Sequence, residues 1–316
     1  MTTAILDLHH HILPPDYMKA LGSRIGSQGL LGRPPQWSPA ASVEAMDRNG
    51  IKAAVTSISS PGVWFGDSIE TQRLARSCNE YAARIKADYP GRFGFFAVLP
   101  LPDVDASLRE IEYAMEVLGA DGVGLLSNYG GTYPGDDRLA PVFDELNRRK
   151  MVVFFHPTVS AGWTSLPDIP VPSLEFPFDT TRAITNLLLT GTFTRCRDVR
   201  FVFAHAGGAL PFLAARINRL MIVPKFRDNV PDGVFSELKH IYFDVALSAN
   251  PIAFGPLLQV AGDANIVFGS DYPHAGEPTL AATVSGLNEL GLDAARLEGI
   301  ASGNARALFP GILGDA

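Results

Sequence analysis

Cysteine is scarce in this chain, charge does not gather in runs, and no long apolar stretch exists; each absence excludes something. Two cysteines among 316 residues, Cys78 and Cys196, cannot form a disulfide framework, and a reducing cytosol is the expected compartment. The 26 basic and 33 acidic residues leave a net charge of −7 spread along the chain. Without a basic run there is no footprint for nucleic acid and none for an anionic membrane surface. No segment approaches the roughly 18 consecutive apolar residues of a membrane span. The first residues show no basic segment followed by an apolar stretch, so a cytoplasmic protein is expected. What is present is a globular balance: 47% hydrophobic and 19% charged residues, enough to bury a large core. A single domain over residues 1–316 is expected.

Short β-branched or aromatic runs alternate with segments of helical period. Strands are predicted over Ala4–Leu8, Lys52–Ser57, Phe93–Leu99, Gly122–Leu126, Val152–Phe155, Val199–Ala204, Ile241–Val245 and Asn265–Gly269. Most are continuous apolar runs, as strands buried on both faces should be. Helices are predicted over Ile69–Ala87, Ala106–Leu118, Leu139–Arg149, Thr180–Thr190, Leu210–Leu220, Pro251–Ala261 and Leu280–Leu290, with a final one over Asp293–Phe309. Eight such units predict an α/β fold, a (β/α)8 TIM barrel, in preference to a doubly wound open sheet. Two long connections follow predicted strands: 12–41, rich in Gly and Pro and carrying Trp37, and 157–178, carrying Trp163 and Phe176-Pro-Phe178. Both are expected to overhang the strand ends as lids or pocket walls. The segment 222–238 precedes a strand and is expected on the opposite face, in a structural or subunit-contact role.

Of the seven histidines, His9, His10 and His11 end the first strand pattern. Alternation along a strand puts His9 and His11 on one face and His10 on the other. His156, His205 and Asp271 stand at the ends of the fifth, sixth and eighth strand patterns. Taken singly, each has a plain reading: a core histidine, or an aspartate in a turn or at a helix cap. Taken together they occupy four strand ends that only a closed ring brings near one another, at the face where barrel active sites are built. Two or three imidazoles and one carboxylate form a borderline-soft donor set. One divalent metal is therefore predicted, zinc before manganese.

Several ordered motifs then resemble a known family. Asp7-Leu-His-His-His-Ile-Leu-Pro14, Phe155-His-Pro157, Ala204-His-Ala-Gly-Gly208, Gly269-Ser-Asp-Tyr-Pro273 and Gly303-Asn-Ala305 resemble those of the amidohydrolase superfamily, in its aminocarboxymuconate-semialdehyde decarboxylase-like branch. Tyr129-Gly-Gly131, Phe143-Asp-Glu-Leu-Asn-Arg-Arg-Lys150 and Glu175-Phe-Pro-Phe-Asp-Thr-Thr-Arg182 look most like the 6-methylsalicylate decarboxylases within it. The resemblance implies that His9, His11, His156 and Asp271 ligate the metal and that His205 stands off it. It implies Asp271 as leading proton donor assisted by His205, with a water on the metal as the alternative donor. Arg216 matches an arginine that reaches a neighbouring subunit's pocket to bind a substrate carboxylate; a solvated helix arginine is its plain reading. Trp64 is expected to stack on an aromatic ring and His274 to line the pocket, while His10 turns away and Asp7 supports the ligand pair. The implied activity is metal-dependent, non-oxidative decarboxylation of a small aromatic carboxylate of the hydroxybenzoate type, such as 6-methylsalicylate. Hydrolysis of a lactone, ester or amide at the same site is the alternative. A homodimer or higher homo-oligomer is expected.

Overall fold

In a computed structural model, which describes residues 4–160, 162, 166 and 168–312, all eight predicted strands form. They are β1 (Ile5–His11), β2 (Ile51–Ser57), β3 (Phe93–Val98), β4 (Gly122–Leu126), β5 (Val152–His156), β6 (Arg200–Phe203), β7 (Tyr242–Asp244) and β8 (Ile266–Val267). All neighbouring pairs are parallel, in the order β1 to β8. Backbone bonds from Leu8 N to Phe268 O (3.0 Å) and from Asp271 N to His9 O (2.7 Å) join the two ends of the sheet. The architecture is the (β/α)8 TIM barrel that the alternation of strand and helix patterns predicts. Trp163 lies outside the described residues.

The interior of the ring is a packed core of Leu6, Leu8, Ala53, Val55, Phe96, Phe154, Val202 and Val267, against which Ala305 and Leu308 of the last described helix, Asn304–Leu308, and Phe309 just beyond it close. A larger apolar layer fills the space between the strands and the surrounding helices. Asn304 locks that last helix to β8, donating from Nδ2 to Ile266 O at 2.7 Å and to Asp263 O at 3.0 Å.

One irregularity decides which way the histidines face. Leu6 pairs with Ala53 and Asp7 with Ala54, but His10 pairs with Thr56 and His11 with Ser57. Leu8 and His9 therefore share a single opposite residue, Val55: a β-bulge. Strict alternation from the inward Leu6 and Leu8 would have turned His10 into the barrel. The extra residue resets the period, so His9 and His11 point inward and His10 outward.

The long connections are more regular than the sequence suggests. Residues 12–41 contain the helix Pro15–Gln28, and the helix Pro39–Arg48 begins before they end. Proline is favoured in a first helical turn, where its missing N–H has no partner to lose; Pro15 and Pro39 both stand there. Tyr17, Leu21 and Ile25, four apart, bury one face of the first helix. In 157–178, a short turn over Val171–Ser173 leads into the helix Glu175–Leu189, which starts five residues before the predicted Thr180. The segment 222–238 holds two short helices, Pro224–Asn229 and Val234–Leu238. No single described helix is long and apolar enough to cross a membrane.

Candidate active site

Four side chains converge at the carboxyl ends of β1, β5 and β8. His9 Nε2 and His11 Nε2 lie 3.1 Å apart. Asp271 Oδ1 stands 3.2 Å from His9 Nε2, 3.0 Å from His11 Nε2 and 3.8 Å from His156 Nε2. One ligand atom from each residue falls within 4.8 Å of all the others. Donors sharing one ion at about 2.0–2.2 Å would be spaced at roughly 3–3.6 Å, so the donor set and its spacing fit a divalent metal.

The charge states of two of the three imidazoles suit that reading as they stand. Burial pushes His11 and His156 down to about 3, leaving neutral imidazoles with lone pairs to offer. For His9, burial opposes protonation, but the carboxylates of Asp244 and Asp271 outweigh it and raise the imidazole to about 10, so on ligation it gives up its Nε2 proton to the ion's charge. For Asp271, burial favours the neutral acid, yet His9, His11, His156 and His205 hold the carboxyl well below its usual range.

Each of these imidazoles is anchored at its other nitrogen, as ligating histidines require. His11 Nδ1 lies 3.0 Å from Ser57 Oγ, and His156 Nδ1 lies 2.8 Å from Pro157 O. His9 Nδ1 lies 2.8 Å from Asp244 Oδ2, and the other oxygen of Asp244 accepts from His205 N and Ala246 N, both at 2.9 Å. Sequence reasoning passed over Asp244. Its signal was available, since a carboxylate ends the apolar β7 run just as Asp271 follows β8.

Asp7 supports the pair by another route than a ligand ring. Its Oδ1 accepts from His9 N and Ser270 N at 3.0 Å each, and its Oδ2 accepts from Ser270 Oγ at 2.6 Å. His10, facing outward, places Nδ1 3.0 Å from Asp7 Oδ2 and Nε2 3.0 Å from Ser42 Oγ, which accepts from Trp37 Nε1 at 2.8 Å. The network ties β1 to the turn that carries Asp271, from behind the barrel wall.

Above the four donors opens a cavity of about 420 Å³ bordered by His156, His205, Asp271, His274, Phe176 and Leu247. His205 Nε2 is 3.6 Å from Asp271 Oδ2, outside the four-donor group, and its Nδ1 is buried without a partner among the described residues. The backbone there is left-handed from His205 through Gly208, and at Gly208 an added Cβ would lie 2.1 Å from Pro177 O. Only glycine fits that approach. His274 lines the cavity as expected, with Nε2 buried and unpartnered among the described residues, and burial lowers it to about 4.

One expectation for substrate contact is corrected. Trp64 lines a separate adjoining cavity of about 400 Å³, because the connection after β2 turns at Ser60-Pro61-Gly62 and packs the indole beside Gly130. Phe176 is the aromatic side chain that borders the site, its ring 5.9 Å from that of His156. Arg216, expected to reach a neighbouring subunit's pocket, is exposed on the helix Leu210–Asn218 and does not line its own chain's cavity.

Residues 6–311 match the sequence profile of the family described as Amidohydrolase. Decarboxylase yanB of Aspergillus niger is 36% identical over 321 residues, covering 96% of this chain and 87% of the relative. The 6-methylsalicylic acid decarboxylase of Penicillium expansum is 33% identical over 317 residues, covering 98% of each. A crystal structure of an "Amidohydrorolase II" has a TM-score of 0.90 at 29% identity, over 97% of this chain and 100% of that one. On profile, relatives and fold together, the chain belongs to the amidohydrolase family.

Proposed function

We propose that the protein is a metal-dependent, non-oxidative decarboxylase of a hydroxybenzoate-type acid such as 6-methylsalicylate. The observation that carries this beyond the likeness to named decarboxylases is the double aspect of Asp271. Its Oδ1 faces the three imidazoles, its Oδ2 lies 3.6 Å from His205 Nε2, and both residues border the cavity. His9, His11, His156 and Asp271 would hold one divalent ion, with zinc the best match to three imidazoles and a carboxylate and manganese the alternative. When bound, it supplies Lewis-acid charge to orient the substrate's carboxylate and neighbouring hydroxyl.

The reaction needs a proton at the ring carbon that bears the carboxylate before carbon dioxide can leave. Asp271 is held ionised by its histidine neighbours, so it takes a proton from solvent by way of His205 and passes it from Oδ2 to that carbon. His205 Nε2 steadies the carboxylate during the transfer, and the His274 ring borders the same end. Phe176 and Leu247 give the aromatic ring apolar walls and limit water.

Purified protein should carry near one divalent ion per chain by elemental analysis. A mass-spectrometric panel of hydroxybenzoates, run beside lactones and anilides, should show products lighter by carbon dioxide with no water gained. Full activity in metal-free protein, or hydrolysed products alone, would overturn the reading.

The reading extends to a homodimer. Phe212, Ile222 and Ile252 are 82%, 84% and 88% exposed on and beside the helices Leu210–Asn218 and Pro251–Val260. Burying such side chains against a second copy stabilises by about 1.5–3 kcal/mol each. Arg216, on the first of these helices, would lie within that contact. Analytical ultracentrifugation should give twice the chain mass, and Phe212→Asp a monomer; a monomeric wild type would refute the dimer. Cys78 and Cys196, both buried and unpaired, suit a reducing cytoplasm.

A further inference from the structure

We infer that Leu247 is a specificity-determining residue, held by a strained turn after β7 so that its side chain meets an alkyl substituent on the substrate ring. The inference takes the class of ring acid from the decarboxylase reading, and the selection from the chain's own backbone.

Leu247 has φ +54°, in the left-handed region that a residue with a Cβ adopts only at a cost. It is the third residue of a turn closed by Ser248 N, which donates to Val245 O at 2.9 Å, and a left-handed third position favours glycine. Elsewhere the chain follows that preference: fifteen described glycines have positive φ, against six other residues. Of those six, His205 and Asp271 bring the site's reactive groups into place, Ala206 follows His205, and Leu247 has the one large apolar side chain. Glycine would make the same turn without strain; what it lacks is the isobutyl group.

Packing within the chain does not repay that strain. Leu247 is 50% exposed and belongs to neither apolar core, yet it lines the cavity. Phe176, only 8% exposed and with its ring beside that of His156, walls the metal end, so Leu247 stands nearer the mouth. Gln28, Ser59, Ser60, Ser173 and Ser248 make much of the remaining wall polar. Those groups, and an Arg216 contributed by a second copy, suit a ligand's oxygens; an alkyl group laid against them would leave them unpaired. Aliphatic surface for it is offered by Ile25, Leu30 and Leu247, and of these three Leu247 alone is held in place against its backbone's preference.

The test compares salicylate with the salicylates that carry one methyl at each open ring position. Binding to the metal-loaded protein is measured by calorimetry, and turnover by carbon dioxide release. The wild type should favour one methyl isomer over salicylate by about 4–10-fold, the gain from burying a methyl group. Leu247→Gly should bring that isomer within about twofold of salicylate and leave salicylate's own affinity within about threefold of wild type, while Leu247→Met should keep the preference. Because glycine relieves the strain, Leu247→Gly should melt no lower than wild type and above Leu247→Ala. A wild type indifferent to the methyl groups, a preference undiminished in Leu247→Gly, or an equal loss for salicylate would overturn the inference. Ile252 of the proposed dimer contact lies nearby in the chain, so mass is measured too. A Leu247→Gly protein that sediments at half the wild-type mass, or melts several degrees below it, would assign the leucine to assembly or to the fold instead. If the preference moves as expected while no compound releases carbon dioxide, the selection stands and the decarboxylase reading falls.

Discussion

Asp271→Asn should cut turnover by about 10²–10⁴-fold while leaving the barrel folded. Asparagine is the substitution that separates chemistry from architecture here. Asp271 sits at φ +59°, in the left-handed region that asparagine tolerates better than most side chains. Its backbone N–H, which donates to His9 O at 2.7 Å, is kept. What goes is the negative charge that His9, His11, His156 and His205 surround, and with it the oxygen that can hold and release a proton. Circular-dichroism melts should be close to wild type. Metal content divides the two parts the residue would play: metal kept with turnover lost points to the proton, metal lost with it points to ligation. Wild-type turnover in the variant would remove Asp271 from both.

Asp244→Asn should weaken metal binding by about 10–100-fold without touching a ligand or the cavity wall. Asp244 is fully buried; burial disfavours its charge, but the adjacent His9 holds the carboxyl below its usual range. As a carboxylate it accepts from His9 Nδ1, so the proton that His9 gives up on ligation is the one on Nε2, the nitrogen that faces Asp271 and His11. An asparagine can keep the bonds from His205 N and Ala246 N through its carbonyl oxygen, but its amide then turns N–H groups toward His9. Donor would face donor, so His9 must move its hydrogen to Nε2, the nitrogen meant for the metal. Competition against a chelator of known affinity measures the loss, and an unchanged affinity would mean that Asp244 only braces the loop after β6. Thermal stability should move far less than affinity does, because the backbone bonds persist.

The positions of the strands and of the donor residues were legible from short-range pattern. Apolar runs located all eight strands to within a few residues, and His9, His11, His156 and Asp271 could be grouped because each stood at a strand end. Asp244 obeyed the same rule but stood alone in an apolar run, with no second polar residue to draw notice. The helix Pro15–Gln28 hid behind its glycines and prolines, although Pro15 suits a helix start and Tyr17, Leu21 and Ile25 keep a four-residue spacing. Trp64 and Phe176 were both aromatic residues on connections after strands. Which of them borders the cavity depends on where each connection turns back, and that is set by packing against residues far away in the chain.

By itself, then, the sequence determined the alternation of strands and helices, the chemistry of the donor set, and the opposition of His10 to His9 and His11, since all three follow from local period and residue type. Only the tertiary structure decided which of those opposed faces looks into the barrel. The bulge that places Leu8 and His9 together against Val55 comes from pairing with a strand more than 40 residues away, and a one-residue change of register inverts every side chain beyond it. Asp244 reaches His9 for the same reason: closing the ring brings the side chains at the ends of β7 and β1 within hydrogen-bonding distance across its interior, a relation that no local spacing encodes.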